Sequence, residues 1–184
     1  HVSVDGLRPD AVTRQLSALP AFARLREQAA FTDNARTDPD YSNTLPNHTA
    51  QLTGRGVTGP AGHAWDTNRD PDPTITLHSN RGRYIASVFD VAHDHGLRTG
   101  LYASKSKFAL YDRSYGASHG APDATGPNDG RDKIDTFVYD SDTGDLVRQL
   151  VADLRAEPYG YVFVHLRDPD SAGHAFGWRL WSWH

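Results

Sequence analysis

The 184 residues carry 23 acidic and 19 basic side chains and a formal net charge of −4 at pH 7, which argues against binding to a nucleic-acid polymer, because such proteins usually show a basic surplus. The chain has no cysteine, so disulfide bonds and thiolate metal ligands are excluded. Its length suits one well-buried domain better than two, and because it lacks an apolar run of about 18 residues we expect no membrane span.

Helices and strands are predicted from apolar periodicity, capping residues and turn residues. In chain order these signals predict a strand at 2–4, a helix at 20–30, a helix at 46–52, a short strand at 74–77, a helix at 88–95, a strand at 97–103, a strand at 136–139, a helix at 142–156 and a strand at 159–164. The rest of 56–81, and all of 111–133, is polar and rich in turn residues and is predicted as loop. The alternation indicates an α/β fold, with a mostly parallel central sheet flanked by helices and the functional site at the carboxyl ends of the strands.

Three segments combine side chains that can do chemistry. They are Val4-Asp5-Gly6 after the first strand, Thr44-Leu45-Pro46-Asn47-His48 with Thr53-Gly54 around a predicted helix, and Asp170-Ser171-Ala172-Gly173-His174 after the last strand. A parallel sheet can bring a strand-end carboxylate, a hydroxyl at a helix N-terminus and a later Asp/His pair to one edge. Each segment alone has a simpler interpretation, as a turn, a helix N-cap or a chance pair.

Together, and in this order, the three segments resemble the alkaline phosphatase superfamily, and within it the nucleotide pyrophosphatase/phosphodiesterase branch (type I phosphodiesterases). The resemblance extends from residue 1 to about residue 178. It implies metal-dependent hydrolysis of phosphoric esters of the phosphodiester or nucleotide pyrophosphate type, through a threonine nucleophile and a two-zinc site. The implied substrate is a small-molecule phosphoester. The resemblance favours an extracellular or periplasmic location, while the sequence leaves location and oligomeric state open.

The resemblance identifies Thr44 as the catalytic nucleophile. A threonine hydroxyl is a weak nucleophile until a metal lowers its pKa. A helix N-terminus adds positive potential and free N–H groups where a phosphate would lie. Ser42 and Thr49 are lesser candidates, and the simpler alternative is that Thr44 only caps the helix.

The same resemblance implies the metal ligands. Asp5 and Thr44 would bind one ion, and Asp170 and His174 would bind the other, in a site that holds two Zn²⁺ ions in the full-length protein. Zinc accepts carboxylate and imidazole ligands. Asp168 lies nearer the end of the strand, but it falls outside the register that matches the family.

Three further residues are candidates for substrate binding. Asn68, which follows Gly62-His63, resembles an asparagine of the family that contacts phosphate, although an Asn in such a loop is usually part of a turn. Lys105 and Lys107 follow a predicted strand and would lie at the edge that carries the site. The simpler interpretation of both lysines is that they are solvated. His48 is expected to pack behind the nucleophile.

The ligand set is incomplete in this sequence. The family adds an Asp-His pair and a later His, and neither is visible here. We therefore expect residues 1–184 to be one α/β catalytic domain, the N-terminal part of a longer domain, which binds zinc weakly and is inactive alone. Without metal, Asp5 and Asp170 would face each other, so the pKa of at least one carboxylate is expected to be raised.

Alternative functions remain open at this level. A phosphonate or phosphomonoester hydrolase of the same superfamily would share these motifs, and so would a non-catalytic binding domain with a degenerate metal site. A sulfatase is disfavoured, because the chain has no cysteine and no serine in the Ser-x-Pro-x-Arg context. The exact substrate is not determined, since loops such as 111–133 set specificity.

Overall fold

One parallel sheet organises the molecule. The computed structural model describes residues 1–178. Within them the strands are β1 (Val2–Val4), β2 (Thr99–Ala103), β3 (Thr136–Tyr139) and β4 (Tyr161–Leu166), in the spatial order β1-β4-β2-β3. Every neighbouring pair is parallel. The predicted α/β fold is thus confirmed.

Eight α-helices accompany the sheet in the described part of the chain. They are α1 (Pro9–Arg14), α2 (Pro20–Gln28), α3 (Thr44–Thr53), α4 (Leu77–Arg81), α5 (Val88–Asp94), α6 (Ala109–Tyr115), α7 (Thr143–Ala156) and α8 (Asp168–Phe176). The helices predicted at 20–30, 46–52, 88–95 and 142–156 are all present, and α3 begins earlier than predicted, at Thr44. Among residues 1–178, no helix has both the length and the apolar character needed to cross a membrane.

The strand predicted at 74–77 is wrong. Thr76 is instead the N-cap of α4, where its hydroxyl accepts a hydrogen bond from the Ser79 N–H and the Ser79 hydroxyl accepts one from the Thr76 N–H. The alternation Thr-Ile-Thr-Leu resembles a strand, but this reciprocal capping box satisfies the first backbone donors of a helix. Local side-chain hydrogen bonding therefore decides this segment.

The loop predicted at 111–133 is wrong at its beginning. Its first residues belong to α6, and both Tyr111 and Tyr115 are fully buried. The Tyr111 hydroxyl contacts the Thr49 hydroxyl at 3.0 Å, so α6 packs directly behind α3. The polar residues in Tyr111-Asp112-Arg113-Ser114 obscure the apolar periodicity that would predict a helix. Tertiary packing stabilises this helix instead.

Apolar side chains cover both faces of the sheet. One core contains Leu45 and Leu52 of α3 together with Leu101 of β2. The other contains Tyr102 of β2 and Leu146 of α7. Neighbouring residues of β2 enter different cores because successive side chains of a strand point to opposite faces. The two layers cover the faces of the sheet, and polar side chains meet at its carboxyl edge.

The turn after β1 brings two distant motifs into contact. Gly6 has φ +71°, and a Cβ atom built there would lie 2.7 Å from the Asp170 Cα and 2.8 Å from its backbone nitrogen. Only glycine adopts this conformation without cost and also admits so close a backbone. Gly6 therefore allows the segment of Asp5 to rest against the start of α8.

We predict that Gly6→Ala destabilises the protein more than Gly96→Ala does. Gly96 also has a positive φ, +67°, but an added Cβ there meets nothing within 4 Å. The control should lose about 1 kcal/mol for the left-handed backbone, and Gly6→Ala should lose roughly 1–3 kcal/mol more, because α8 must move. Urea unfolding of both variants measures the difference, and equal losses would contradict the close contact.

Candidate active site

Thr44 and Asp5 form the first contact of the site. Thr44 is the first residue of α3, Asn43 occupies the N-cap position, and the Thr44 side chain is buried. The Thr44 hydroxyl donates a hydrogen bond of 3.1 Å to Asp5 Oδ2, directly after β1. The alternative that Thr44 only caps the helix is therefore wrong, because its hydroxyl is directed at a carboxylate from another element.

Lys105 lies at the centre of the site. It follows β2, and its Nζ atom lies 2.7 Å from Asp5 Oδ2 and 2.6 Å from Asp170 Oδ2. The same nitrogen is 3.2 Å from Thr44 Oγ1. One ammonium group thus contacts one hydroxyl and two carboxylates. The two carboxylates, Asp5 and Asp170, are more than a hundred residues apart in sequence.

Asp170 and His174 occupy one side of α8. The His174 Nε2 atom lies 3.5 Å from Asp170 Oδ1, as positions four residues apart on a helix permit. The Asp170 side chain is largely buried, whereas His174 is exposed. Asp168 accepts a hydrogen bond from the Thr143 hydroxyl and does not join the group, in agreement with the register used to exclude it.

The expectation of a raised carboxylate pKa is wrong for Asp5. Burial by itself raises the pKa of this group, but hydrogen bonds from His165 and Lys105 outweigh burial and hold the pKa well below its usual value. The expectation assumed two carboxylates facing each other without a cation. Lys105 supplies that cation, so the charged form of Asp5 is favoured.

Two buried histidines support the site from behind. His165 of β4 is fully buried, with its Nε2 atom 3.2 Å from Asp5 Oδ2. His48 of α3 contacts the Thr44 carbonyl oxygen through Nδ1 at 2.7 Å and the Ser3 hydroxyl through Nε2 at 2.8 Å. Burial, with the neighbouring His165, lowers the pKa of His48 to about 4. The expected place of His48 behind Thr44 is confirmed.

Sequence reasoning did not identify His165. The available signal was a histidine inside the apolar strand Tyr161–Leu166, in register with Ser3 of β1. A buried imidazole needs a polar partner. The strand pairing, which the sequence does not reveal, supplies that partner at the end of β1.

The structure separates the three candidates for substrate binding. Asn68 lies against the start of α3, where its Oδ1 atom accepts a hydrogen bond of 3.0 Å from the Leu45 N–H. Lys107 donates to the Asn68 carbonyl oxygen at 2.7 Å and lies 3.5 Å from Asp70. Lys107 therefore anchors the loop that carries Asn68, whereas Lys105 points into the group around Asp5.

A second group of possible metal ligands was not predicted. The ligand atoms of His93, Asp123 and Asp129 lie within 4.8 Å of one another. Lys133 is fully buried beside them and forms an ion pair with Asp123. The Lys133 carbonyl oxygen accepts a hydrogen bond from the hydroxyl of Thr99, the first residue of β2. The group of His93, Asp123 and Asp129 therefore lies at the amino edge of the sheet. It lies at the opposite edge from Thr44.

The donor set at the carboxyl edge fits a divalent metal. Two carboxylates converge on one point, with a hydroxyl and an imidazole beside them. Hard oxygen donors and neutral imidazole are ligands that zinc accepts. The carboxyl ends of the strands, where this polar group lies, are the place where α/β proteins with an open parallel sheet bind their ligands.

The family follows from a comparison of the sequence. The model of the type I phosphodiesterase / nucleotide pyrophosphatase family matches residues 1–182. The chain therefore belongs to this family of hydrolases, and the predicted membership is confirmed. A search of curated proteins found no significant match.

We predict that His63 makes stability depend on pH. His63 is fully buried, its Nδ1 atom accepts a hydrogen bond from the Trp65 N–H, and burial lowers its pKa to about 4. The unfolded chain takes up the proton near pH 6.5, whereas the folded chain does so only near pH 4. The free energy of unfolding is therefore unaffected by His63 above pH 6.5. As pH falls from 6.5 toward 4, protonation of His63 in the unfolded chain lowers the free energy of unfolding, by about 3 kcal/mol at most.

The matched variant is His63→Asn, which keeps an acceptor for the Trp65 N–H and cannot titrate. Urea unfolding at pH 7.5 and at pH 4.5 should show a smaller loss in the variant than in the unmodified chain. Other buried histidines, such as His48, keep part of the dependence in both proteins. An unchanged loss in the variant would show that His63 is protonated with an ordinary pKa in the folded state.

Proposed function

We propose that the protein hydrolyses phosphodiester or nucleotide pyrophosphate bonds with Thr44 as its nucleophile. The observation that supports this most is the hydrogen bond from the Thr44 hydroxyl to Asp5, at the N-terminus of a ten-residue helix. In the proposed step, Thr44 Oγ1 forms a bond to phosphorus while the bond to the leaving alkoxide or phosphate breaks. The threonine proton passes to solvent, and the leaving alkoxide takes up a proton from solvent. Water then cleaves the phosphothreonine and regenerates the hydroxyl.

The groups around Thr44 support its proposed role as the nucleophile. Asp5 fixes the direction of the Thr44 proton, and the N-terminus of α3 attracts the negative charge of a phosphate. Asn68 is held through its Oδ1 atom by the Leu45 N–H, which leaves its Nδ2 group to donate to a substrate oxygen. A neutral donor suits the charge that develops on such an oxygen, and losing one costs roughly 10²–10³ in rate.

We propose further that the site binds two zinc ions. Asp5 and Thr44 are the ligands for one ion, and Asp170 and His174 are ligands for the other. Bound ions of this kind neutralise phosphoryl oxygens and lower the pKa of a coordinated hydroxyl. Catalytic zinc sites use about three protein ligands, so two residues for each ion predict modest affinity in this chain.

We also propose that residues 1–184 belong to one α/β catalytic domain. The support is that β1, at the beginning of the chain, pairs with β4 near its end. Asp5 follows β1, Thr44 and Lys105 lie between these two strands in sequence, and Asp170 and His174 lie in α8, directly after β4.

We predict that Thr44→Ala lowers the turnover of bis(p-nitrophenyl) phosphate by at least about 10³-fold. The natural protein that contains this sequence is assayed with zinc, and circular dichroism checks that α3 is intact. Ser42→Ala removes an exposed hydroxyl close by in the chain and serves as the control, with turnover near that of the unmodified protein. Near-normal turnover of folded Thr44→Ala would exclude Thr44 as the nucleophile.

A second prediction concerns the metal ligands. Asp170→Asn should weaken zinc binding by at least about tenfold, because a neutral amide replaces a charged ligand. Asp168→Asn, on the same helix but bonded to Thr143, should bind zinc like the unmodified protein. Calorimetric titration compares the three proteins, and equal weakening in both variants would show only a general effect of charge.

A further inference from the structure

The position of Lys105 is the feature that the proposed reaction does not explain. Its ammonium nitrogen lies between Asp5 Oδ2 and Asp170 Oδ2, at 2.7 and 2.6 Å. Its side chain is only 17% exposed. A lysine that merely served the solvated surface would not be inserted between two largely buried carboxylates.

The two carboxylates need a cation in every state of the protein. Like charges so close disfavour each other, and removing them from water adds to the cost. In the metal-free chain the ammonium group of Lys105 provides the compensating charge. Its flexible four-carbon stem lets the charge move without disturbing β2, which ends two residues earlier.

Lys105 and a metal ion compete for the same oxygens. Zinc–carboxylate bonds are about 2.0–2.2 Å long, so an ion bound to Asp5 Oδ2 or Asp170 Oδ2 lies close to the ammonium group at 2.7 and 2.6 Å from these oxygens and repels it. On this basis, and resting on the metal site of the proposed function, we propose that Lys105 is an internal counter-ion. It closes the empty site and leaves when the first ion binds.

Two consequences follow from this competition. The ion pair stabilises the metal-free protein. It also lowers the apparent metal affinity, because only the molecules in which Lys105 has left the site can bind the ion. Lys107 should have neither effect, since it binds the Asn68 carbonyl oxygen and lies near Asp70. The two lysines, close neighbours in sequence, therefore provide a matched comparison at constant charge.

The test compares Lys105→Met with Lys107→Met in this chain. Methionine keeps the length of the side chain and removes the charge. Calorimetric titration at one pH should show at least about tenfold tighter zinc binding for Lys105→Met, and an affinity for Lys107→Met near that of the unmodified chain. Without zinc, Lys105→Met should melt at a lower temperature than Lys107→Met, and zinc should raise its melting temperature more.

A spectroscopic measurement needs no variant. The chain has three lysines, Lys105, Lys107 and Lys133, so ¹⁵N-lysine labelling gives a simple NMR spectrum of the ammonium groups. Added zinc should shift or remove the signal of Lys105, which loses its carboxylate partners. Lys107, which donates to the Asn68 carbonyl oxygen, serves as the internal reference and should not change. Lys133 pairs with Asp123 of the second group of possible metal ligands, so a change of its signal instead of that of Lys105 would place the ion there and overturn the counter-ion role.

Asp5→Asn separates failure of this inference from failure of the proposed function. If Asp5→Asn weakens zinc binding but Lys105→Met leaves it unchanged or weaker, the counter-ion role is overturned and the metal site stands. If all variants bind zinc equally, the ion binds elsewhere and both proposals fail. An unshifted Lys105 signal at saturating zinc, in a chain whose binding depends on Asp5, would likewise overturn the counter-ion role.

Discussion

The ion pairs of Lys105 join the carboxyl ends of three strands at one point. Asp5 follows β1, Lys105 follows β2 and Asp170 follows β4, and these strands are neighbours in the sheet. Because all of them run in the same direction, their carboxyl ends share one edge, and the side chains that follow must meet there. The parallel direction of the strands thus brings Asp5 and Asp170 close together in a poorly solvated place. The positive charge of Lys105 compensates the two carboxylates there.

At two places in the protein, one lysine compensates the charge of poorly solvated carboxylates. At the carboxyl edge Lys105 compensates Asp5 and Asp170, and at the amino edge Lys133 compensates Asp123 and lies 3.3 Å from Asp94. The two sites differ in access, since Lys133 is fully buried and Lys105 is partly exposed. A fully buried pair is costly to open, because each charge would lose its partner in a poorly solvated place. The accessible lysine is the one that a ligand can replace.

Most regular elements could be predicted from local patterns, and two of the exceptions have identifiable causes. The strands and the helices α3, α5 and α7 carry clear apolar periodicity or capping residues, which depend on neighbours in the chain alone. Helix α6 could not be predicted, because its stability comes from burying Tyr111 and Tyr115 against other elements. The segment at 74–77 shows the reverse case, in which a capping box outweighs an alternating pattern.

The sequence by itself determined the fold class, the family and the four residues expected to carry chemistry, because motif order and periodicity are properties of the chain. The tertiary structure decided what those residues contact. It placed Lys105 rather than Lys107 between the carboxylates, brought His165 to Asp5 through the pairing of β1 with β4, and held the pKa of Asp5 low. Such contacts depend on distances between segments far apart in sequence, and only strand order and packing set those distances.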